Sequence, residues 1–578
     1  MLDNPLLCRY NKNTCMTGNC NDKRNGLNME KMRPMLLSTL KGYTRQQFVK
    51  DVVAGVVVAI IALPLSIALA LASGVGPEQG IYTAIVAGFV ISALGGSQVQ
   101  IAGPTAAFAT IVAGIVARNG MDGLAMATIL AGVILILMGI FRIGGLIKFI
   151  PFTITTGFTS GIAVTIVIGQ LKDFFGVSYP AGMPTIETME KLKAFFAGIG
   201  SFNLHALIVG AVCLAILIIA PRITEKIPAS LLAVIAGILM VKFLPLQVNT
   251  IGDLYTISGG LPAFHLPHFS FELVQTALPD AFTIAVLAAI ESLLSCVVAD
   301  GMINGNHHSN MELAAQGAGN IASALFGGIP ATGAIARTAA NVKNGGRTPI
   351  AGMVHAVVLL LILVVLMPYA GMIPMPTIAA ILFMVAYNMC QWRTFVKLIK
   401  TAPKSDIAVL VITFLLTIIF DLVVAIEIGM LLACLLFMKR MSDVTEVRSW
   451  VYTQDEEEAE QEKLRHLSPH INVYELSGPL FFGAADAVGR IAVRDGVRCL
   501  VLRMRAVPSL DSTAMNAMAD LQKKCADKGI HLILSHVNDQ PLNVMRKAGF
   551  VEKVGEDNLC PNIDAAIERA EMLVKETA

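Results

Sequence analysis

Two interrupted apolar segments contain the residues whose types and spacing could do chemistry. Residues 100–112 read QIAGPTAAFATIV, and residues 329–342 read IPATGAIARTAANV. Each stretch has a proline next to small residues and a threonine, yet its apolar flanks predict a position at membrane depth. Irregular backbone is tolerated at that depth only where it is buried in protein or lines a cavity. The pair of stretches therefore predicts a binding site.

The chemistry predicted at these stretches is anion binding. Pro104 and Pro330 can each occupy the first turn of a helix, because the N–H group that proline lacks would be unbonded there anyway. Two helix starts that point at one another would bring free N–H groups and positive dipole ends to one pocket. The alternative is that the small residues only allow close helix packing. The candidate binding residues are Thr105, Ala106, Ala107, Gly333, Ala334 and Ile335.

Ionisable residues inside apolar segments are costly and usually functional, so four of them need an interpretation. Glu291, in AVLAAIESLLSCVV, is the candidate proton carrier, with a neutral structural carboxyl as the alternative. Arg337 follows Pro330 by seven residues, and it either adds positive charge to an anion site or extends to the cytoplasmic surface. Glu427 is a rival proton carrier, although its place near a segment end favours a vestibule. His355 is interpreted as a hydrogen-bonded packing residue.

The composition indicates a polytopic α-helical membrane protein. The 578-residue chain is 55% hydrophobic and 15% charged, whereas soluble domains carry about 25% charged residues. Since a bilayer core of about 30 Å requires about 20 apolar residues in a helix, we predict fourteen spans, several of them short. They lie at 51–73, 79–95, 103–117, 121–141, 152–171, 205–221, 227–245, 276–299, 312–326, 330–343, 348–370, 375–389, 405–420 and 422–438.

The spans divide into two repeats. SALGG (92–96) precedes the first interrupted stretch and SALFGG (323–328) precedes the second, while FIPFTITTGF begins at Phe149 and MIPMPTIAAI at Met372. These matches keep one order and nearly one separation, which indicates two repeats of seven spans. Seven is odd, so the second repeat is inverted, and such transporters bind substrate where discontinuous helices meet near the midplane. Lys and Arg are concentrated in alternate connections, which places both termini in the cytoplasm.

Three further regions accompany the membrane part, which covers residues 44–440. Residues 1–43 are polar and predicted to be disordered. An acidic linker, 441–469, contains QDEEEAEQEK. In residues 470–578, strand-like and helix-like segments alternate, which is typical of a small α/β domain.

The membrane part resembles the sulfate permease/SLC26 superfamily of anion transporters. The resemblance rests on DVVAGVVVAIIALPLSIALA, GPTAAF, AAIESLLSCVVADGM and GGIPATGAIARTAANV, in this order. The E-S-L-L and A-I-A-R patterns are similar to the bacterial C4-dicarboxylate branch. The resemblance implies a homodimer, with a core domain of spans 1–4 and 8–11 and a gate domain of spans 5–7 and 12–14. It also implies substrate between spans 3 and 10, span 1 lining the pocket near Leu65 and Leu69, and Glu291 as the coupling carboxylate.

One position departs from a related branch. In the sodium-coupled bicarbonate transporters, a residue with a hydroxyl group occupies the position of Ile335. An isoleucine offers no side-chain oxygen to Na⁺, which prefers oxygen ligands as other hard cations do. The departure therefore favours proton coupling over sodium coupling.

The C-terminal domain resembles a STAS domain, the cytoplasmic module of these transporters that is shared with anti-sigma-factor antagonists. In the antagonists the serine after a strand-end aspartate is phosphorylated, and Ser512 in LDST holds that position. The alternative is that Asp511 and Ser512 only cap the next helix. A cytoplasmic protein is a further candidate partner of this domain.

Together these features predict a secondary active anion transporter of the bacterial inner membrane. We expect proton-coupled uptake of a C4-dicarboxylate or sulfate by alternating access, with a bicarbonate or other anion symporter or exchanger as the alternative. An anion channel and a nucleobase–proton symporter rank below these, the latter because such symporters lack the C-terminal module. No phosphate-binding glycine loop or catalytic triad is present, so we expect no enzyme, cofactor, metal site or nucleic-acid partner.

Overall fold

The structure, a computed structural model, divides into two units, residues 1–402 with 410–427 and residues 403–409 with 428–578. Within them it describes residues 32–145, 151–223, 228–244, 246–255, 260–420, 422–449, 467–491 and 496–576. Most of the predicted N-terminal segment 1–43 and the acidic part of the linker 441–469 lie outside these ranges, and for those residues both predictions stay predictions. For the described end of the N-terminal segment, the predicted disorder is wrong, because Met35–Thr39 form a helix whose Met35 is buried and donates its N–H to the carbonyl oxygen of Gly95.

Seventeen helices account for most of the described chain before residue 445. The first nine are α1 (Met35–Thr39), α2 (Arg45–Ala72), α3 (Pro77–Leu94), α4 (Ala109–Ile140), α5 (Phe152–Phe175), α6 (Thr188–Ala197), α7 (Leu204–Ile223), α8 (Ala229–Phe243) and α9 (Ile251–Leu254). The others are α10 (Phe271–Ile303), α11 (Ser309–Leu325), α12 (Ile335–Lys343), α13 (Ile350–Ala370), α14 (Met375–Cys390), α15 (Trp392–Thr401), α16 (Lys404–Ile419) and α17 (Leu422–Val444). Among the described residues, seven helical segments are long and apolar enough to cross a membrane.

Each of the fourteen predicted spans overlaps one of these helices, although spans 3 and 10 begin before α4 and α12. Spans 3 and 4 share α4, which is kinked at Gly120, where φ is 66° and ψ is −169°. Glycine accepts such a conformation because it has no Cβ. The extra helices α1, α6, α9 and α15 are short, with ten residues or fewer, and lie between or before the spans.

The prediction that Pro104 and Pro330 occupy first helical turns is wrong. A 3₁₀ turn begins at Ala106, followed by α4, and in the second stretch α12 begins only at Ile335. The intervening backbone forms two short strands instead, β1 (Ala102–Gly103) and β2 (Thr332–Gly333), which pair antiparallel. In the second stretch the pairing takes up Thr332 and Gly333, which a helix starting at Pro330 would have used. In the first stretch β1 ends just before Pro104, and the helical turn begins two residues after the proline. The antiparallel direction is what two inverted repeats require.

The membrane helices pack in two groups. Helices α2, α3, α4, α10, α11, α12 and α13 contact one another, and α5, α7, α8 and α14 form a second set. Small residues allow close approach: an added Cβ at Gly132 of α4 would lie 2.6 Å from the carbonyl oxygen of Gly317 in α11. An added Cβ at Gly55 of α2 would lie equally close to the carbonyl oxygen of Ala351 in α13. The first group contains predicted spans 1–4 and 8–11.

The C-terminal part of the chain contains a five-stranded sheet in the order β3-β4-β5-β6-β7. Central β5 is apolar and buried over most of its length, as in a parallel strand with both faces covered. Strand β3 pairs antiparallel with β4, and the other pairs are parallel. The strands are β3 (Glu446–Ser449), β4 (Ile471–Ser477), β5 (Cys499–Ala506), β6 (His531–Ser535) and β7 (Leu559–Cys560). Thus β3 lies within the segment predicted to be a linker.

Helices cover both faces of this sheet. On one face Leu502 and Leu534 pack with Met518, and on the other Val501 and Ile533 pack with side chains of the last helix, such as Ala570. This confirms the predicted small α/β domain. The helices are Ala485–Gly489, Ser512–Asp527, Asp539–Lys547, Phe550–Val554 and Ile563–Glu576.

Candidate functional site

The site is built around the β1–β2 pairing, where Ala102 lies opposite Gly333 and Gly103 lies opposite Thr332. Ala334 N also donates to the carbonyl oxygen of Ile101, at 2.9 Å. The pairing brings the 3₁₀ turn before α4 and the start of α12 to one place. The two interrupted stretches, more than two hundred residues apart in sequence, therefore meet as predicted.

A buried carboxylate, Glu312 of α11, holds the approach to the first stretch. It is fully buried, and its contacts fix the backbone where α3 ends. Five N–H and O–H groups donate to its two oxygens. The five donors are Gly96 N (2.9 Å), Ser97 N (3.2 Å), Gln100 Nε2 (2.8 Å), Ser292 Oγ (3.2 Å) and Gln316 Nε2 (2.9 Å).

Gln100 connects this carboxylate to β2. Its amide nitrogen donates to Glu312 and to Ser292 Oγ, at 2.8 and 2.7 Å, and its oxygen accepts from Cys296 Sγ. The Gln100 side chain lies directly against Gly333, where an added Cβ would overlap it. A larger residue at 333 would therefore displace the Gln100 side chain from its hydrogen-bond partners.

The second stretch is held by side chains of α3 and α11. Asn320 receives a hydrogen bond from Ala331 N at 2.8 Å and donates to the carbonyl oxygen of Ala331 at 2.9 Å. Thr83 Oγ1 accepts from Ile329 N at 2.7 Å. Thr332 Oγ1 donates to the carbonyl oxygen of Ala288 in α10, at 2.9 Å. The bonds from Asn320 and Thr83 satisfy backbone groups of Ile329 and Ala331 that no helix satisfies, and the bond from Thr332 ties the stretch to α10.

Some amides at the two helix starts remain free. Those of Thr105, Ala106 and Ala107 have no hydrogen-bond partner among the described residues, and neither do those of Ile335, Ala336 and Arg337. The first N–H groups of any helix lack intrahelical partners. Two such sets of donors therefore lie at the junction of the repeats, although they begin later in the chain than the prolines.

Glu291 reaches the first stretch from α10. Thr105 Oγ1 donates to Glu291 Oε2 at 2.9 Å, and both side chains are partly accessible. The structure therefore places the predicted coupling carboxylate beside the predicted binding residues.

Arg337 is buried rather than extended to the surface, with 3% exposure. Its Nη2 donates to Ser66 Oγ of α2 and to the carbonyl oxygen of Pro104, each at 3.3 Å. An added Cβ at Gly103 would lie 2.5 Å from Arg337 Nη1, so the glycine makes room for the guanidinium group. Of the two interpretations of Arg337, the structure supports positive charge inside the protein.

The remaining predicted binding residues line the same region to different degrees. Ala106, Ala107 and Gly333 are buried, Ala334 is half-buried, and Ile335 is 41% exposed. On α2, Leu69 is buried and Leu65 is half-buried. The two leucines are one helical turn apart, and Ser66 lies between them in the sequence.

Three other predicted residues lie outside this constellation. Glu427 is exposed on α17. His355 is fully buried in α13, but neither ring nitrogen has a hydrogen-bond partner among the described residues, so the predicted hydrogen bonding is wrong. Ser512 is exposed at the first position of its helix, where the cap is Asp511, whose Oδ1 accepts from Ala514 N at 2.8 Å.

The sequence matches two family descriptions. Residues 48–413 match the sulfate permease family, and residues 465–566 match the STAS domain. The first match covers more than half of the chain. The chain belongs to the sulfate permease family. Members of this family are membrane transporters of anions, not enzymes.

Relatives of this chain match nearly its whole length. YvdB of Bacillus subtilis (strain 168), named a candidate sulfate transporter, is 37% identical over 536 residues, which are 91% of this chain and 98% of YvdB. The bicarbonate transporter BicA of Picosynechococcus sp. is 30% identical over 536 residues, 90% of this chain and 94% of BicA.

Solved structures share the fold. Murine Slc26a9, an anion transporter in the inward-facing state, matches 96% of both chains with a TM-score of 0.83 at 18% identity. The transmembrane domain of a cyanobacterial BicA matches 68% of this chain and 98% of its own, with a TM-score of 0.59 at 29% identity.

Sequence reasoning missed the buried carboxylates of this permease. Glu312 was overlooked because it stands among polar residues near a helix start, where an exposed position is the usual expectation. Asp51, in the first turns of α2, is also fully buried and accepts from Thr348 Oγ1, Arg347 N and the Tyr43 hydroxyl. Burial and the hydrogen bond to Asp51 raise the pKa of Tyr43 to about 12, so its hydroxyl stays protonated and donates.

Removing the Glu312 carboxylate should destabilise the protein strongly. In Glu312→Ala, the amides of Gly96 and Ser97 would lose their buried acceptor, at about 1–3 kcal/mol for each unsatisfied group. We expect a loss of about 3 kcal/mol or more in the free energy of unfolding, measured with purified protein in detergent.

Two variants control this experiment. Glu312→Gln should lose less, because its amide oxygen still accepts, and the exposed Glu272→Ala should change stability by less than about 0.5 kcal/mol. Equal stability of Glu312→Ala and Glu272→Ala would show that the carboxylate does not hold the first stretch.

Proposed function

We propose that this protein is a secondary active transporter that binds its anion between the two helix starts. The observation that carries the proposal is the convergence of two sets of free amides, Thr105–Ala107 and Ile335–Arg337, across the β1–β2 pairing. Backbone N–H groups at helix starts, with the positive dipole ends, favour a negative charge. A pocket formed this way suits an anion of small size.

The Arg337 guanidinium adds a full positive charge to this arrangement. It is held from two other elements, by Ser66 of α2 and the carbonyl oxygen of Pro104. Neither partner is a carboxylate, so its charge is not neutralised by these contacts. An anion near the amides would lie in the field of this charge, which water screens weakly because the side chain is buried.

Proton coupling is proposed on the basis of Glu291. Its carboxylate lies in a membrane helix and accepts from Thr105, whose backbone amide belongs to the proposed anion site. Protonation of the carboxylate would break or reverse this hydrogen bond and thereby alter the site, which gives a direct link between proton and anion. Ile335 offers no oxygen to a sodium ion.

Transport is proposed to occur by alternating access in a homodimer of the inner membrane, with both termini cytoplasmic. The core domain would contain the anion site, and the second group, with α16 and α17, would form the gate. The packing of α2–α4 with α10–α13 supports a rigid core. Alternating access in inverted-repeat transporters is largely rocking of one bundle against the other.

Sulfate or a C4-dicarboxylate is the proposed anion, and bicarbonate is the second candidate. YvdB supports sulfate by its name, and BicA supports bicarbonate. Phosphorylation at Ser512 is proposed as a point of regulation, because this serine is exposed.

Replacing Glu291 by glutamine should abolish proton-driven accumulation while leaving anion exchange largely intact. Glutamine can still accept from Thr105, so the geometry of the first stretch is kept, but it cannot carry a proton. Uptake of labelled sulfate or succinate into proteoliposomes with an imposed pH gradient measures accumulation, and counterflow without a gradient measures exchange.

The matched control is Glu427→Gln, which removes an exposed carboxylate of another membrane helix. It should accumulate the anion as the unmodified protein does. Accumulation that survives Glu291→Gln and disappears in Glu427→Gln would assign the proton to Glu427 instead.

Added bulk between the helix starts should weaken anion binding. Ala106→Leu or Ala334→Leu would place a larger side chain beside the free amides and separate them from the anion. Losing two hydrogen bonds to a charged group costs about 3 kcal/mol, or more than a hundredfold in affinity. Isothermal titration with sulfate, succinate and bicarbonate measures this without reference to transport rates.

Ala125→Leu is the control, because this half-buried alanine lies in α4 beyond the kink. It should change affinity far less than the two site variants, whatever it does to packing. Equal losses at Ala125, Ala106 and Ala334 would mean that the interrupted stretches only serve packing.

A further inference from the structure

Helix α15 presents an apolar stripe away from the protein. Trp392, Val396 and Ile399 follow one another at intervals of four and three residues, which places them on one face of a helix. They are 47%, 37% and 41% exposed. Gln391, in the left-handed conformation with φ 43°, separates α15 from α14. The stripe therefore belongs to a helix of its own, with only ten residues.

The opposite side of α15 anchors it to the membrane helices. Phe395 and Leu398 are half-buried, and the Phe395 ring lies 5.1 Å from that of Phe414 in α16. The helix also packs against α5. Since α15 is held on one side, its exposed apolar stripe cannot turn inward.

A basic stripe runs beside the apolar one. Arg393, Lys397 and Lys400 each follow a residue of the apolar stripe and are exposed. The sequence of α15, WRTFVKLIKT, contains no acidic residue. Within the described part of the chain, none of the three forms an ion pair. The helix thus carries three uncompensated positive charges next to exposed apolar side chains.

We propose that α15 lies in the surface of the bilayer and binds the head groups of anionic phospholipids. Ten residues are too few to cross a hydrocarbon core, which needs about 20. An apolar face of this kind enters the boundary between head groups and acyl chains, and a basic face attracts anionic lipids. By the predicted topology this is the cytoplasmic leaflet.

The aromatic residues at the start of α15 agree with this position. Trp392 Nε1 donates to the hydroxyl of Tyr387, which is exposed on α14, at 3.4 Å. Tryptophan and tyrosine are enriched where membrane helices leave the hydrocarbon core. Arg393 lies over the Trp392 ring at 5.8 Å, so the indole and the first basic group occupy one depth.

Trp392 can report on its own lipid neighbours. The chain contains two tryptophans, at positions 392 and 450, so Trp450→Phe leaves a single reporter. The full-length protein is placed in vesicles of phosphatidylcholine and phosphatidylglycerol, with bromine on the acyl chains of one lipid or the other. One Lys or Arg side chain near an anionic membrane surface raises the association constant about fivefold. We expect brominated phosphatidylglycerol to quench Trp392 fluorescence with at least this preference.

Two triple variants test the role of the basic stripe. Arg393→Gln with Lys397→Gln and Lys400→Gln should abolish the preference while quenching by both lipids remains. The same change at the exposed Lys523, Lys547 and Lys553 should leave the preference intact.

Three results would overturn the proposal. Equal quenching by the two lipids in the parent protein would show that the head groups are not distinguished. Absence of quenching would mean that something other than lipid covers the apolar stripe. An equal loss of preference in both triple variants would assign it to net charge alone. Anion affinity is measured separately in each variant. A failure of the proposed anion site can therefore be distinguished from a failure of the proposed lipid binding.

Discussion

The fold depends on satisfying the backbone of two chain segments that are not helical at membrane depth. An unpaired N–H or C=O group costs several kcal/mol in hydrocarbon, and the two stretches together have many of them. The antiparallel pair of β1 and β2 satisfies some of these groups. Buried side chains satisfy others, above all the carboxylate of Glu312 in the first stretch and the amide of Asn320 in the second. Without these contacts, neither interruption would be stable.

The backbone amides that these contacts leave without a partner define the proposed site. The strand pairing uses the residues just before each helix start, so the free amides lie immediately after it. The same pairing fixes the distance between the two sets of amides, because each repeat holds the other. Glycine at 103 and 333 leaves room for side chains that reach across from the other repeat, Arg337 and Gln100. Structural stability and the proposed anion binding thus rest on one arrangement.

Local sequence was sufficient to find the membrane spans and the two interrupted stretches. It was not sufficient to find the contacts between the two repeats. The interrupted stretches, Glu291 and the order of the spans were predictable, because proline, small residues and an apolar periodicity are local signals. The helix starts were misplaced, because the strand pairing joins residues that are far apart in the chain. Arg337 could not be assigned for the same reason: its partners, Ser66 and Pro104, come from the other repeat. Glu312 gave no local signal.

Anomalous diffraction from crystals grown with an electron-rich anion tests the central claim most directly. Selenate replaces sulfate, and dibromosuccinate replaces a C4-dicarboxylate. We predict an anomalous peak between the two helix starts, with anion oxygens at about 3 Å, a hydrogen-bond distance, from amides of both Thr105–Ala107 and Ile335–Arg337. An ordered anion elsewhere in the membrane part, with these amides bonded to protein instead, would contradict the account.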